Sequence, residues 1–223
     1  MSIIYLDILY SCFLLPVFLC YDEPMDRIND VYSFVIGQEE PLSADVAIIE
    51  GDKYTYLFEV GNGEKIVKEI EKIEKPKIVI LSHFHPDHIA NLSKIEYEKL
   101  FLGDNTYKYI NDGVIIKDRI VINDGVSIEL FKIVSCHAKG SIGLKVGDYA
   151  FIGDALAPTH KKGKYVFNCQ MLKEEIDLFD NLDVNYFVSS HSMDFPLTKA
   201  EVITKLRKIY DKRKKDCPYI SIN

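Results

Sequence analysis

This sequence predicts an α/β protein in which helices pack on the outer faces of β-sheets. Two observations carry that prediction. Short β-branched or aromatic runs come first, and further such runs then alternate with amphipathic segments of helical period. No repeat, low-complexity stretch or composition break divides the 223 residues, so 1–223 reads as a single domain with one substantial core.

The elements follow in order. Val31 to Ile36, Asp45 to Ile49 and Tyr54 to Phe58 read as strands, separated by Gly37, Pro41 and the Glu50-Gly51-Asp52-Lys53 turn. Gly61-Asn62-Gly63 opens a helix whose Ile66, Val67, Ile70 and Ile73 share one face, and Pro76 stops it. Lys77 to Leu81 is an apolar run with the look of a buried strand. Lys99 to Leu102 reads as a strand and Asp104 to Asn111 as a short helix. Strands are then expected at Arg119 to Ile122, Val126 to Phe131, Ile133 to Cys136, Ile142 to Val146 and Tyr149 to Ile152, with turns at Asn123-Asp124-Gly125 and Gly147-Asp148. A helix from about Gln170 to Asn181 precedes the strand Tyr186 to Ser189. The last helix begins at a capping box, Thr198 to Glu201, and carries the stripe Val202, Ile203, Leu206, Ile209 and Tyr210.

Bulk properties narrow the function. Apolar residues are 48% and charged residues 27% of the chain, a soluble globular balance. The net charge of −7 disfavours a nucleic-acid binder working through bulk charge. Cys12, Cys20, Cys136, Cys169 and Cys217 are odd in number and never in a C-x-x-C spacing, which reads as free thiols in a reducing, cytoplasmic compartment. Residues 1–25 include an apolar stretch, Ile3 to Cys20, broken by Asp7, Ser11 and Pro16. It lacks the basic start of a signal peptide and is interrupted for a membrane span, so a buried strand pair or a partner-facing segment is expected instead.

The most informative stretch is Ser82-His83-Phe84-His85-Pro86-Asp87-His88, directly after the apolar run. Imidazoles and a carboxylate held close to a core need partners, and both are preferred donors for zinc and other first-row divalent ions. His137, Asp154 and His191 each sit at the exit of a further predicted strand, so all can converge on one edge of the sheets. Cys136, next to His137, points the other way by strand alternation and reads as core.

His83-x-His85-x-Asp87-His88 followed by His137, Asp154 and His191 resembles the motif series of the metallo-β-lactamase fold superfamily, over most of the chain from Val31 onward. The resemblance implies a four-layer αββα sandwich of two mixed β-sheets, with metals held at one edge. It places His83, His85 and His137 around one ion, Asp87, His88 and His191 around a second, and Asp154 between them. It implies two zinc ions, with iron or manganese as alternatives, roughly 3.5–4 Å apart. A water bound there has a pKa near roughly 7, so a metal-bound hydroxide would attack the substrate. Asp87 is then also the catalytic residue that orients the nucleophile or carries its proton.

Departures from the family pattern are local. Ile89-Ala90-Asn91 stands where relatives often have a glycine pair, Cys136-His137-Ala138-Lys139-Gly140-Ser141 where they often have Gly-His-Thr-Pro-Gly-Ser, and Glu59-Val60-Gly61 where they often have Asp-Thr-Gly. Glu59 is a candidate acceptor that orients a ligand histidine. His160, among Lys161, Lys162 and Lys164, is either a surface-loop residue or a contact for an anionic substrate group. The function expected is hydrolysis of a small-molecule ester, thioester, lactone or related bond. The alternatives are a mononuclear iron dioxygenase of the persulfide-oxidising type and a non-catalytic, metal-stabilised binding protein. A small-molecule substrate is the partner expected, with neither nucleic acid nor membrane.

Overall fold

The computed structural model describes residues 26–27 and 31–222; the apolar N-terminal stretch lies outside them. Seven strands form the first sheet, in chain order: β1 (Asp26–Arg27), β2 (Ser33–Val35), β3 (Val46–Glu50), β4 (Thr55–Phe58), β5 (Lys77–Leu81), β6 (Lys99–Leu102) and β7 (Val114–Ile115). β1 to β4 pair antiparallel and β4 to β7 parallel, the parallel steps being crossovers through α1 (Glu64–Glu71), a turn-rich segment and α3 (Asp104–Ile110).

The second sheet contains β8 (Ile120–Asn123), β9 (Ser127–Ile133), β10 (Ser141–Val146), β11 (Tyr149–Phe151), β14 (Tyr186–Val188) and β15 (Leu197–Thr198). Its spatial order is β15-β14-β11-β10-β9-β8, antiparallel except for the parallel β11–β14 pair.

The layers follow from alternation along strands that are buried on both faces. Ala47 and Ile49 of β3, Tyr56 and Phe58 of β4, and Ile78 and Ile80 of β5 pack between the sheets against Ile128, Leu130, Ile142, Leu144 and Phe151. The intervening Val46, Ile48, Leu57, Val79 and Leu81 point outward onto Ile66, Val67 and Ile70 of α1. On the far side Phe131, Ile133, Ala150 and Phe187 meet Leu172, Ile176 and Phe179 of α4 (Cys169–Asn181) and Val202 and Leu206 of α5 (Lys199–Tyr210). The result is the four-layer αββα sandwich. Burying each such aliphatic or aromatic side chain contributes about 1.5–3 kcal/mol, so the sheets have no stable alternative to two covered faces.

Two local differences from the sequence reading have clear causes. Val126 to Cys136 is a single strand to Ile133 followed by an irregular loop; Ser141 to Val146 pairs along β9 without a break, so there is no turn near Lys132. A third, three-stranded sheet also forms from β12 (Thr159–Lys161), β13 (Lys164–Asn168) and β16 (Tyr219–Ile222), taking in His160, for which a surface loop was one expectation. Lys162 and Gly163 both have positive φ and form a two-residue hairpin turn, a backbone signal masked by the surrounding lysines. At the C-terminal end, Thr198 and Glu201 form the capping box expected of them. Lys205, Arg207 and Lys208 of α5 are exposed, Arg207 pairing with Asp180 at 2.8 Å.

Candidate metal centre

His83 and His85 follow β5, and Pro86 starts the single turn α2 (Pro86–Ile89), which carries Asp87 and His88. Proline suits that first position because its missing N–H would have no helical partner there. His137, Asp154 and His191 follow β9, β11 and β14. β9 and β11 both run antiparallel to β10, and β14 runs parallel to β11, so all three strands exit at one edge.

Backbone bonds tie that edge across the two sheets. Ile142 N–H donates to the Ser82 carbonyl at 3.0 Å, and Asp45 N–H to the Ser190 carbonyl at 2.6 Å. Gly153, with φ of 57°, brings the Asp154 loop against β5. A Cβ there would stand 2.3 Å from Ser82 Oγ and 2.6 Å from Ser82 Cβ, so only glycine permits the approach.

The side chains meet in two groups. His83, His85 and His137 present nitrogens within 4.8 Å of one another, and so do the ligand atoms of Asp87, His88, Asp154 and His191. Asp154 Oδ2 lies 3.4 Å from His88 Nε2 and 3.5 Å from both His191 Nε2 and His137 Nε2. One carboxylate oxygen thus touches both groups. Asp87 Oδ2 is 3.2 Å from His191 Nε2 and 3.4 Å from His88 Nε2.

These donors fit divalent cations. His83 Nε2 and His137 Nε2 each approach His85 Nδ1 to 3.0 Å. A single proton on His85 Nδ1 cannot satisfy both contacts. A tetrahedral zinc with bonds of about 2.0–2.1 Å would set neighbouring nitrogens roughly 3.3 Å apart, close to that spacing. The remote ring nitrogens are engaged: His83 Nδ1 lies 2.9 Å from Ser82 Oγ, and His137 Nδ1 is 3.3 Å from the Pro158 carbonyl oxygen. The carbonyl can only accept, so His137 carries its proton on Nδ1 and offers Nε2 as a lone pair. Among the described residues, His88 Nε2 and Asp154 Oδ1 are buried without a complete hydrogen bond, Nε2 lying 3.4 Å from both Asp87 Oδ2 and Asp154 Oδ2, as expected of atoms that face an ion, while His88 Nδ1 is turned to Glu59.

Electrostatics divide the cluster in the same way. Burial, and then His88, push the His83 imidazole down to about 2, so it is neutral at physiological pH. Burial and the neighbouring His137 also lower His85. In His88, burial is outweighed by Glu59 and Asp154, and the ring is raised to about 10. His191 is raised to about 9, chiefly by Asp154 and Asp87. Burial raises Asp87 and Asp154, but the hydrogen bonds of His191, and then the His88 and His191 charges, outweigh it and hold both carboxyls below the usual range. Protons on His88 and His191 here do the work that a cation would do between the same carboxylates.

Glu59 is fully buried at the end of β4, with Oε1 3.2 Å from His88 Nδ1. Ser190 Oγ donates to Oε1 at 3.2 Å and Ser82 N–H to Oε2 at 3.3 Å. Its φ of 73° is a left-handed conformation rare outside glycine, and it is retained where the carboxylate orients a ligand histidine. Glu59→Gln is expected to weaken metal binding about 10- to 100-fold while the chain stays folded, as read by competition with a chromogenic chelator.

Several supporting residues carried no motif signal. Asn91 is fully buried and donates to the carbonyls of Val60 and Gly63 at 3.1 and 3.0 Å, fixing the histidine turn to the segment that carries Glu59. Asp45 accepts from Gly37 N–H at 2.6 Å and from Met193 N–H at 3.0 Å, clamping two loops at the rim. Polar residues just before and after strands are the only signal that could have found them. His160 is not brought into either group. It lies exposed on β12 against Tyr165, two residues from the Pro158 carbonyl that meets His137. Cys136 is buried, and burial, then Glu175, push its thiol up to about 12. The three cysteines among the described residues are free.

This architecture is that of the metallo-β-lactamase fold. A family model described as the metallo-beta-lactamase superfamily matches residues 40–98, the part that contains the whole opening histidine motif. Among solved structures, the chain is similar to a B3 metallo-β-lactamase described as having an active-site glutamic acid. The TM-score is 0.65 and the identity 14%, covering 85% of this chain and 90% of that one. It is similar to ETHE1 from Myxococcus xanthus, with a TM-score of 0.62 and 17% identity over 82% of this chain and 86% of that one. It is also similar to an archaeal metallo-β-lactamase superfamily protein from Sulfolobus tokodaii, with a TM-score of 0.57 and 16% identity over 84% and 89%. No curated protein matches the chain. At these identities the structural likeness shows the fold.

Proposed function

We propose that the protein is a metal-dependent hydrolase of a small-molecule ester, thioester, lactone or related bond. The observation that carries this reading is Asp154, whose single carboxylate oxygen touches both His137 of one donor group and His88 and His191 of the other. His83, His85 and His137 would hold one cation, and Asp87, His88 and His191 a second, with Asp154 shared. Bound there, two divalent ions would supply a water of lowered pKa and Lewis acidity toward a carbonyl.

The chain's own residues set the geometry and the proton path. Ser82 and Pro158 fix the rings of His83 and His137, and Glu59 fixes His88. The half-buried Asp87 Oδ2, kept ionised, accepts the proton of the attacking water and returns it to the leaving group. The exposed side of His191 marks the mouth through which substrate enters. The acidic balance suits a small substrate better than a nucleic acid. No helix among the described residues is long and apolar enough to cross a membrane.

The complete second donor group supports two ions over a mononuclear iron site. Purified protein supplied with zinc, iron and manganese is expected to retain two equivalents of metal, by elemental analysis, and to cleave members of an ester, thioester and lactone panel. One iron with oxygen uptake would instead mark a dioxygenase. Tight metal binding with no turnover would mark a binding protein, and no retained metal would refute the metal centre.

A further inference from the structure

Phe84, inside the histidine run, and Tyr109, on α3, form a face-to-face stack with ring centroids 4.2 Å apart and planes 4° from parallel. Phe84 in turn sets its ring 5.0 Å from His85, edge-on at 78°. The rings therefore make a wall running outward from the first donor group, His85 then Phe84 then Tyr109.

Nothing in the fold requires the outer ring. α3 is held by Tyr107 and Ile110 against the helix-side core and by the fully buried Thr106. Its start is fixed by Gly103, where a Cβ would stand 1.7 Å from the Gly140 carbonyl oxygen, on the loop that follows His137. Tyr109 projects from the face left over and is 64% exposed, and its ring meets one other ring among the described residues, that of Phe84. The stack thus keeps an aromatic face open to solvent directly beside the first donor group. The adjacent Lys108 directs its Nζ to Asn105 Oδ1 at 3.1 Å.

We propose that the Phe84–Tyr109 stack is a specificity wall that receives a large apolar group of the substrate, aryl or medium-chain alkyl, beside the bond that is cut. The nature of that bond rests on the hydrolase reading; the wall does not. Continuity with the cluster selects substrate as the occupant: a group bonded to a carbonyl at the donor groups meets Phe84 first and Tyr109 next.

The test is binding of 1-naphthoate, with acetate as the small reference, to the zinc-supplied full chain and to the same chain with metal removed. Tyr109→Ser is expected to weaken naphthoate about five- to tenfold, the worth of one aromatic contact, and to leave acetate unchanged. Tyr109→Phe keeps the ring and is expected to bind both as the wild type does, which a merely structural role for the hydroxyl would not predict. Equal naphthoate affinity in wild type and Tyr109→Ser, or no naphthoate binding at all, overturns the wall. Turnover of 1-naphthyl esters is scored separately. Absence of turnover across the ester, thioester and lactone panel, with the Tyr109→Ser difference intact, removes the hydrolase reading and leaves the wall standing.

Discussion

Asp154→Ala is expected to abolish the second equivalent of bound metal and to lower kcat/KM on any panel substrate by roughly a thousandfold or more, about 4 kcal/mol at 1.36 kcal/mol per decade. Asp154 Oδ2 contacts both donor groups, through His88, His191 and His137. Its removal leaves the buried His88 facing Glu59 and Asp87 without the carboxylate that joins it to the first group. Two cations would also lose the carboxylate between them that offsets their mutual repulsion. Elemental analysis reads metal loss independently of activity, and circular dichroism checks that the sandwich persists. Retention of two full equivalents would refute the bridging role. Asp154→Asn keeps the shape but not the charge, so it should retain fold and part of the metal while losing activity, which separates charge from packing.

What could be read in the sequence follows from where the information is local. The strands β2 to β6 and the helix α1 are set by period-two and period-3.6 patterning, and the structure has these elements where the patterning puts them; β1 and the single turn α2 carried no such pattern. The seven candidate ligands were legible because each stands at the exit of an apolar strand, a position that topology then brings to one edge. Tertiary information was not legible. The small sheet β12-β13-β16 joins residues 159–168 to 219–222 through backbone pairing, with lysines on the outside that read as a solvated loop. Asn91, Ser190 and Asp45 matter through one or two hydrogen bonds to distant backbone or to Glu59, and an isolated polar residue next to a strand carries no such message. Glu59 was visible as a residue where aspartate was expected. Its contact with His88 depends on a left-handed backbone that composition does not encode.

Glu175→Leu is expected to stabilise the protein at neutral pH by about 1–3 kcal/mol, a rise in Tm of roughly 2–10 °C for a chain of this size. Glu175 sits on the buried face of α4 beside Leu172, Ile176 and Phe179, is fully buried, and has neither carboxylate oxygen hydrogen-bonded among the described residues. Burial raises its pKa well above the ordinary 4.5, so the folded chain holds it protonated over a range in which the unfolded chain ionises it. Folding takes up a proton in that range, and stability therefore falls as pH rises from about 4.5 through the raised folded value. Leucine has nearly the same volume, needs no partner and does not titrate, so the variant should lose that slope as well as gain stability. Cys136, whose neighbouring thiol donates to the Asn168 carbonyl, is no alternative partner. Thermal unfolding of wild type and variant between pH 5 and pH 8, with metal supplied to both, measures the gain and the slope together. A variant that melts lower than wild type, or one that keeps the wild-type pH slope, would show that the Glu175 carboxyl is satisfied within the fold.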